Sequence, residues 1–308
     1  RDGSQKWNGH EQYGLAMPQM YIEFAYGNLS VKAGHFYTII GNETVGAPDN
    51  FFFSHAYTMQ YAEPFTHTGV LADYAVSNGF NVLFGIHGGW DTFDPMRQRA
   101  AFLGGFTWSN CDDSFDLAFM LTSGDELDPS GAFGRRTMYS LVATLSLAEN
   151  VDYIVQHDNG WQRDWFGPNR DAEWYGLNQY LLYTINHCWT AGLRFEWFRD
   201  DDGTRVAGVR NNNSATGPFI GSFYETSVGL NWRPSTNLTI RPELRWDWFD
   251  GNGSPASYEQ IVDDIKAHYL GNGTLYVGSD SQFYNTGVIL TSAIILHGAD
   301  GQKGGRYF

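Results

Sequence analysis

The chain has 308 residues, enough for one large β-domain or two ordinary ones, and it is 17% aromatic with 36 Gly and only 10 Pro. That mixture is rich in strand formers and turns but poor in aliphatic core, and no run of about eighteen apolar residues exists to make a transmembrane helix; the longest, Val288–Leu296, is broken by Thr291 and Ser292. The net charge of −15, from 34 acidic and 19 basic residues with no basic cluster, argues against nucleic acid or an anionic membrane surface as partner and favours cations nearby.

In chain order, residues 1–18 alternate poorly and read as an irregular lead-in, with neither a hydrophobic leader nor a cleavage site. Met20, Ile22, Phe24 and Tyr26 then alternate with Tyr21, Glu23 and Ala25. Gly27-Asn28 turns the chain into Leu29–Tyr37, which puts Glu23 and Lys32 on one polar side. The segment Ile40–Pro64 is irregular and carries Phe51, Phe52 and Phe53. Three adjacent phenylalanines do not belong in water, so this loop is expected to fold into a channel as a constriction, to cap a rim, or to meet a neighbouring subunit. Strands follow at Phe65–Val76, Phe80–Trp90, Arg99–Trp108, Ser114–Leu121, Met138–Leu147, Val151–Asp158, Trp174–Thr184 and Cys188–Phe198. The hairpin Ser222–Phe249 and a final strand, Gln282–Leu296, complete the set, with a short helix expected over Ser257–Leu270.

The hairpin shows the pattern most clearly. Leu238, Ile240, Leu244, Trp246 and Trp248 fall on one face, and Thr239, Arg241, Glu243, Arg245 and Asp247 on the other. A strand this long and this two-faced fits a position between lipid and an aqueous lumen. Connection lengths strengthen the reading, because every second connection is short and the others are longer: Asp91–Gln98, Thr122–Arg136, Asn159–Glu173, Arg199–Ile220 and Phe249–Ser281. A Greek-key sandwich would mix lengths, and a soluble up-and-down barrel would stop near eight strands. The expectation is therefore an all-β, antiparallel up-and-down transmembrane barrel over 1–308, with short periplasmic turns and long extracellular loops. With short turns periplasmic, Met20–Tyr26 runs downward, so a strand is expected upstream of Arg1 and the total is about 14 strands (12–16).

Candidate pore-lining residues are Glu23, Lys32, Asp116, Asp152, Arg194, Glu196, Arg241, Glu243, Arg245 and Asp247, whose charges a wet lumen tolerates. Trp90, Trp108, Trp189, Trp197, Trp232, Trp246 and Trp248 fall near strand ends, where an interfacial girdle would lie. No catalytic motif is present. His10-Glu11 has Gly14 where a zinc-binding helix needs its second histidine, and there is no Gly-x-Ser-x-Gly or phosphate-binding glycine loop. His55, His67, His87 and His157 read as rim or lumen residues. Asp200-Asp201-Asp202-Gly203 and Asp250-Gly251-Asn252-Gly253 read as solvated loop acids without the spacing of a calcium loop. Cys111 and Cys188 read as free, and no metal or cofactor is implied.

Lys32-Ala-Gly-His-Phe-Tyr-Thr-Ile-Ile-Gly-Asn-Glu43, Asn50-Phe-Phe-Phe-Ser54 and Pro64-Phe-Thr-His-Thr-Gly-Val70, with Gly89-Trp-Asp91 and Trp246-Asp-Trp-Phe-Asp250 later, resemble the β-barrel porins of the OmpL-like family of bacterial outer membranes. The resemblance implies a porin-like barrel with chain before Arg1, and it brings no catalytic residues. Passive diffusion of small hydrophilic solutes with a mild cation preference is the function expected. The competing expectation is a closed or plugged barrel that holds a partner, with Phe51–Phe53 and Trp161 to Phe166 as its interface. Expected partners are the bilayer, lipopolysaccharide or outer-leaflet lipid, the solutes, and a second copy or another envelope protein.

Overall fold

The computed structural model describes residues 17–93, 99–128, 131–206, 219–252 and 266, and the backbone of the later strands. In chain order these form β1 (Met20–Tyr26), β2 (Leu29–Tyr37), β3 (Thr66–Ser77), β4 (Phe80–His87), β5 (Ala101–Ser109), β6 (Phe115–Leu127), β7 (Phe133–Ala148), β8 (Val151–Gln162), β9 (Ala172–Asn186), β10 (Trp189–Asp200), β11 (Ile220–Ser235), β12 (Leu238–Ile240) and β13 (Glu243–Asn252). Each of β1–β11 pairs antiparallel with the next, and β11 pairs antiparallel with both β12 and β13, so the sheet is up-and-down throughout this region. Short turns alternate with longer connections, as the sequence indicates. Gly27 and Gly79 sit at positive φ in two of those turns, where a side chain would be strained.

The later strands are β14 (Thr274–Ser279), β15 (Gln282–Tyr284), β16 (Gly287–Ile289), β17 (Ser292–His297) and β18 (Gly305–Tyr307). β15 and β16 continue the main sheet, while β14, β17 and β18 form a second one, so the expected single strand Gln282–Leu296 is three separate strands. Among the described residues the main sheet runs from β1 to β16 without its ends pairing. The lead-in 1–16 and, apart from Lys266, the expected helix Ser257–Leu270 lie outside the described residues.

Two other boundaries differ from expectation for physical reasons. The connections read as Thr122–Arg136 and Asn159–Glu173 are shorter than expected: β6 and β7 stay paired to Leu127↔Phe133, and β8 and β9 to Gln162↔Ala172. At the β6–β7 end opposite charges sustain the ladder without apolar alternation, since Asp125 pairs with Arg99 at 2.8 Å and with Arg135 at 3.5 Å. The strand read as continuous from Leu238 breaks between β12 and β13 at Arg241-Pro242, because proline has no N–H for the ladder. β13 in turn runs on through Asp250-Gly251-Asn252, which are strand residues and not loop acids.

The sheet is curled. Ala62, four residues before β3 begins, accepts a hydrogen bond from Trp174 Nε1 on β9 at 3.1 Å. Six strand spacings separate β3 from β9, about 29 Å along the sheet, whereas four residues of chain reach at most about 14 Å. Only a wall bent round the connection between β2 and β3 brings the two together. Its outer face is apolar, with Val82, Phe84, Ile86, Leu193, Phe195, Val228, Leu244, Trp246 and Trp248 all exposed.

Candidate functional site

The site is the inner face of the curled sheet together with the connection 38–65, which lies against it. This connection holds a 3-10 turn (Ala47–Asp49) and a π-helical turn (Thr58–Ala62). The wall provides flat seats for it. Gly192 on β10 faces Gly229 on β11, and a Cβ on either would run into the Phe51 or Phe52 ring; a Cβ on Gly176 of β9 would meet the Thr58 methyl. The three phenylalanines therefore part company. Phe51 and Phe52 pack edge to face with centroids 4.9 Å apart, Phe52 is 1% exposed, and Phe53 is 62% exposed. The loop lies against the inner face of the sheet, with Phe53 left exposed.

Charge fastens the loop to β10–β13. Arg194, with no exposure, donates through Nη1 to Glu43 at 2.6 Å and to the Ser54 carbonyl at 2.8 Å, and through Nε to Glu225 at 2.8 Å; it also stacks over Phe52. Glu196, equally buried, accepts the N–H groups of Tyr57 and Thr58 at 2.5 and 2.6 Å and so caps the π-helical turn. Arg241 donates to the Ala47 and Asn50 carbonyls, Glu243 accepts from the Phe53 and Ser54 N–H groups and the Ser54 hydroxyl, and Arg245 bridges Asp247 and the His55 carbonyl. Hydrogen bonds to charged groups each contribute about 1.5–3 kcal/mol when well formed. Burial alone would raise the Glu43 carboxyl, but Arg194, His55 and the Ala56 N–H outweigh it and hold the group at about 2. All six of these charges, Arg194, Glu196, Arg241, Glu243, Arg245 and Asp247, face inward and bond to the loop or to one another; Arg194, Glu196 and Asp247 are buried, and Arg241, Glu243 and Arg245 are half-buried.

Against β3–β7 the contact is dry. Leu71, Leu83, Leu103, Met120 and Met138, one inward residue from each of five successive strands, join Phe36, Ile40, Tyr61 and Ala62 in one buried cluster. Trp90, expected in an interfacial girdle, belongs to this cluster at 7% exposure. It meets Trp174 edge-on at 6.2 Å, and the Arg136 and Arg205 guanidiniums lie over its ring. It follows β4 on the inner side, so its place near a strand end puts it inside rather than at the lipid boundary.

Toward the short turns the inner face is wet, and four successive hairpins carry the same device. Glu23 accepts from Ser30 at 2.7 Å, Asp73 from Asn81 Nδ2 at 3.0 Å, Asp116 from Ser109 at 2.5 Å and Asp152 from Ser146 at 2.8 Å. All four carboxylates are at least partly exposed, and each is steadied by a neutral donor on its partner strand. Lys32 is directly opposite Glu23 and lies over the Tyr21 ring. Asp73, Glu43, Glu63 and Glu225 were not singled out from sequence. The loop acids carried a usable signal, because an irregular segment that must be buried for its phenylalanines takes its carboxylates inside with it.

The other tryptophans expected in the girdle lie on the outer face. Trp189 and Trp232 stack at 5.4 Å near the short turns; Trp197 is level with Tyr224 and Trp248, which stack at 5.3 Å. Eight residues of β10 separate Trp189 from Trp197, about 26 Å along the strand, close to the height of an outer-membrane apolar band. Trp108 and Trp246 are exposed on the same face. Cys111 and Cys188 are free. Among the described residues no group of three or more His, Cys, Asp or Glu side chains is placed to hold a metal ion. Asp200 accepts the N–H groups of Thr204, Arg205 and Val206, which makes it the organiser of a turn.

A family model described as "Putative beta-barrel porin-2, OmpL-like" matches residues 2–269. Among solved structures, the outer membrane channel DcaP of Acinetobacter baumannii is similar with a TM-score of 0.55 at 10% identity, over 75% of this chain and 68% of that one, a likeness of fold. No curated protein matches the chain in sequence.

Proposed function

The chain belongs to the OmpL-like family of outer-membrane β-barrel porins, and from that premise we propose that it passes small hydrophilic solutes and ions by diffusion, with a mild preference for cations. The observation that carries the cation preference is the set of propped carboxylates on four successive hairpins, Glu23, Asp73, Asp116 and Asp152, at the short-turn end of the inner face. Fixed negative charge in a low-dielectric wall raises the local cation concentration and lowers that of anions. In this reading loop 40–64 sets the narrowest cross-section, and its support is that the loop lies against the inner face with Phe53 exposed and anchored through its N–H to Glu243.

Single-channel recording of the purified protein in planar bilayers across a salt gradient tests this. Stepwise openings with a reversal potential toward the cation value are expected. The dry contact of the loop with Leu71, Leu83, Leu103, Met120 and Met138 favours a second reading, a plugged barrel that holds a partner. Silence from protein that is demonstrably folded and inserted, at every pH tried, would select it.

A further inference from the structure

We propose that the carboxyls of Glu63, on the interior loop, and Asp158, on β8, share one proton and form a latch that keeps the loop against the wall and lets go as that proton leaves to water. The inference deepens the channel reading, and depends on it only where current is the readout.

Glu63 and Asp158 are both fully buried, and among the described residues neither forms an ion pair. Gln156 Nε2 lies between them, 2.7 Å from Glu63 Oε1 and 3.0 Å from each Asp158 oxygen, while its Oε1 accepts the Asn42 N–H at 2.9 Å. One amide thus ties the start of the loop, its end and the wall together. Its two hydrogens cannot serve three oxygens fully, and Glu63 Oε2 is buried without a donor. Two ionised carboxylates repel and have nothing to exchange, whereas a carboxyl donates to a carboxylate. A proton on Glu63 directed at Asp158 removes one of the two like charges and makes the missing bond. Gly41 packs flat on this carboxyl, where any Cβ would overlap both oxygens.

The surroundings favour the protonated pair. The other loop acid that bears on Glu63 is Glu43, whose charge Arg194 answers. Trp174 on β9 is occupied with the Ala62 carbonyl, and Arg205, beyond β10, donates to the Tyr61 carbonyl at 2.6 Å. His157, next to Asp158, has its ring against Tyr139 on the outer face. Burial first, and then the charge of Asp158, push the Glu63 carboxyl well above the usual range. The docked loop therefore holds a proton that the free loop would lose above about pH 4–5. Docking weakens as pH rises from there through the raised value, by up to tenfold in the docked-to-free ratio per pH unit for one proton. Glu43, at about 2, stays ionised across that whole window.

The test is hydrogen exchange of the 38–65 amides in the full chain in lipid vesicles from pH 5 to 10, corrected for intrinsic rates, with bilayer conductance measured in parallel. Wild type is expected to open progressively as pH rises across this range. Glu63→Gln, which keeps a donor toward Asp158 and cannot titrate, is expected to be flat, and Asp158→Asn provides the same test from the wall side. A flat wild type overturns the latch. So does a Glu63→Gln or Asp158→Asn chain that keeps the wild-type slope, which would place the titration elsewhere. Exchange that follows pH with no current at any pH keeps the latch and removes the channel; current with pH-independent exchange does the reverse.

Discussion

Glu225 on β11 and Asp152 on β8 are both inward carboxylates on strands whose outer residues are apolar, yet they live in different solvents. Glu225 is sealed against Arg194 and Ser227 beneath the interior loop, whereas Asp152 stands half exposed near a short turn with the Ser146 hydroxyl beside it. The alternation that places both on the inner face is the same. What differs is how far along the strand each lies and whether a loop lands on it. Periodicity therefore settles which way a side chain points, and leaves open whether it points into water.

The contrast breaks most severely at Arg194. Arg194→Met leaves Glu43 and Glu225 buried without their cation, and losing one partner of such a network costs about 3–5 kcal/mol. Loop docking should fail in this variant, seen as a lower unfolding midpoint in urea together with larger single-channel conductance. An unchanged conductance would mean that the dry contacts alone hold the loop. Next in size is Gly192→Ala, whose new Cβ collides with the Phe51 ring and should cost about 1–3 kcal/mol of overpacking, read as faster proteolysis of the loop in a barrel that still resists the protease.

Acid should sharpen the contrast from the other side. Glu43 is depressed to about 2, so its contribution to docking is complete above the ordinary carboxyl range and is lost as pH falls from about 4.5 through 2. Loop proteolysis with an acid-stable protease should accelerate over that interval, and Glu43→Gln should remove the acceleration. The smallest effects belong at the wet end. Asp73→Asn, Asp116→Asn and Asp152→Asn should leave the unfolding midpoint where it is, because neutral donors steady these groups, while combining all three moves the reversal potential toward zero. A loss of fold in the triple variant would instead assign these residues to the wall's stability.

Most of the architecture was legible because each hairpin announces itself twice, by alternation and by a short turn rich in Gly and Asn. Strand ends were harder wherever something other than apolar alternation sustains pairing, as Asp125 and Arg135 do at the tops of β6 and β7. The inward direction of Arg194, Glu196, Arg241, Glu243 and Arg245 was legible; the full burial of the first two and the half-burial of the others were not, since they depend on a loop more than a hundred residues away in sequence. Gly192 and Gly229 were the available hint. Two glycines at facing positions inside otherwise bulky strands indicate that something presses on the wall there.

The long reach of the interior loop also dictates an order of events. Glu43 and Arg194 are 151 positions apart in the chain, and Ser54 and Glu243 are 189 apart. The loop precedes β3–β13 in the chain but has no seat until β9–β13 have joined the wall. Docking accordingly comes only after β9–β13 are in place. A barrel caught midway through insertion would be wider inside than the finished one, and protection of residues 38–65 from protease marks the moment at which its interior is narrowed.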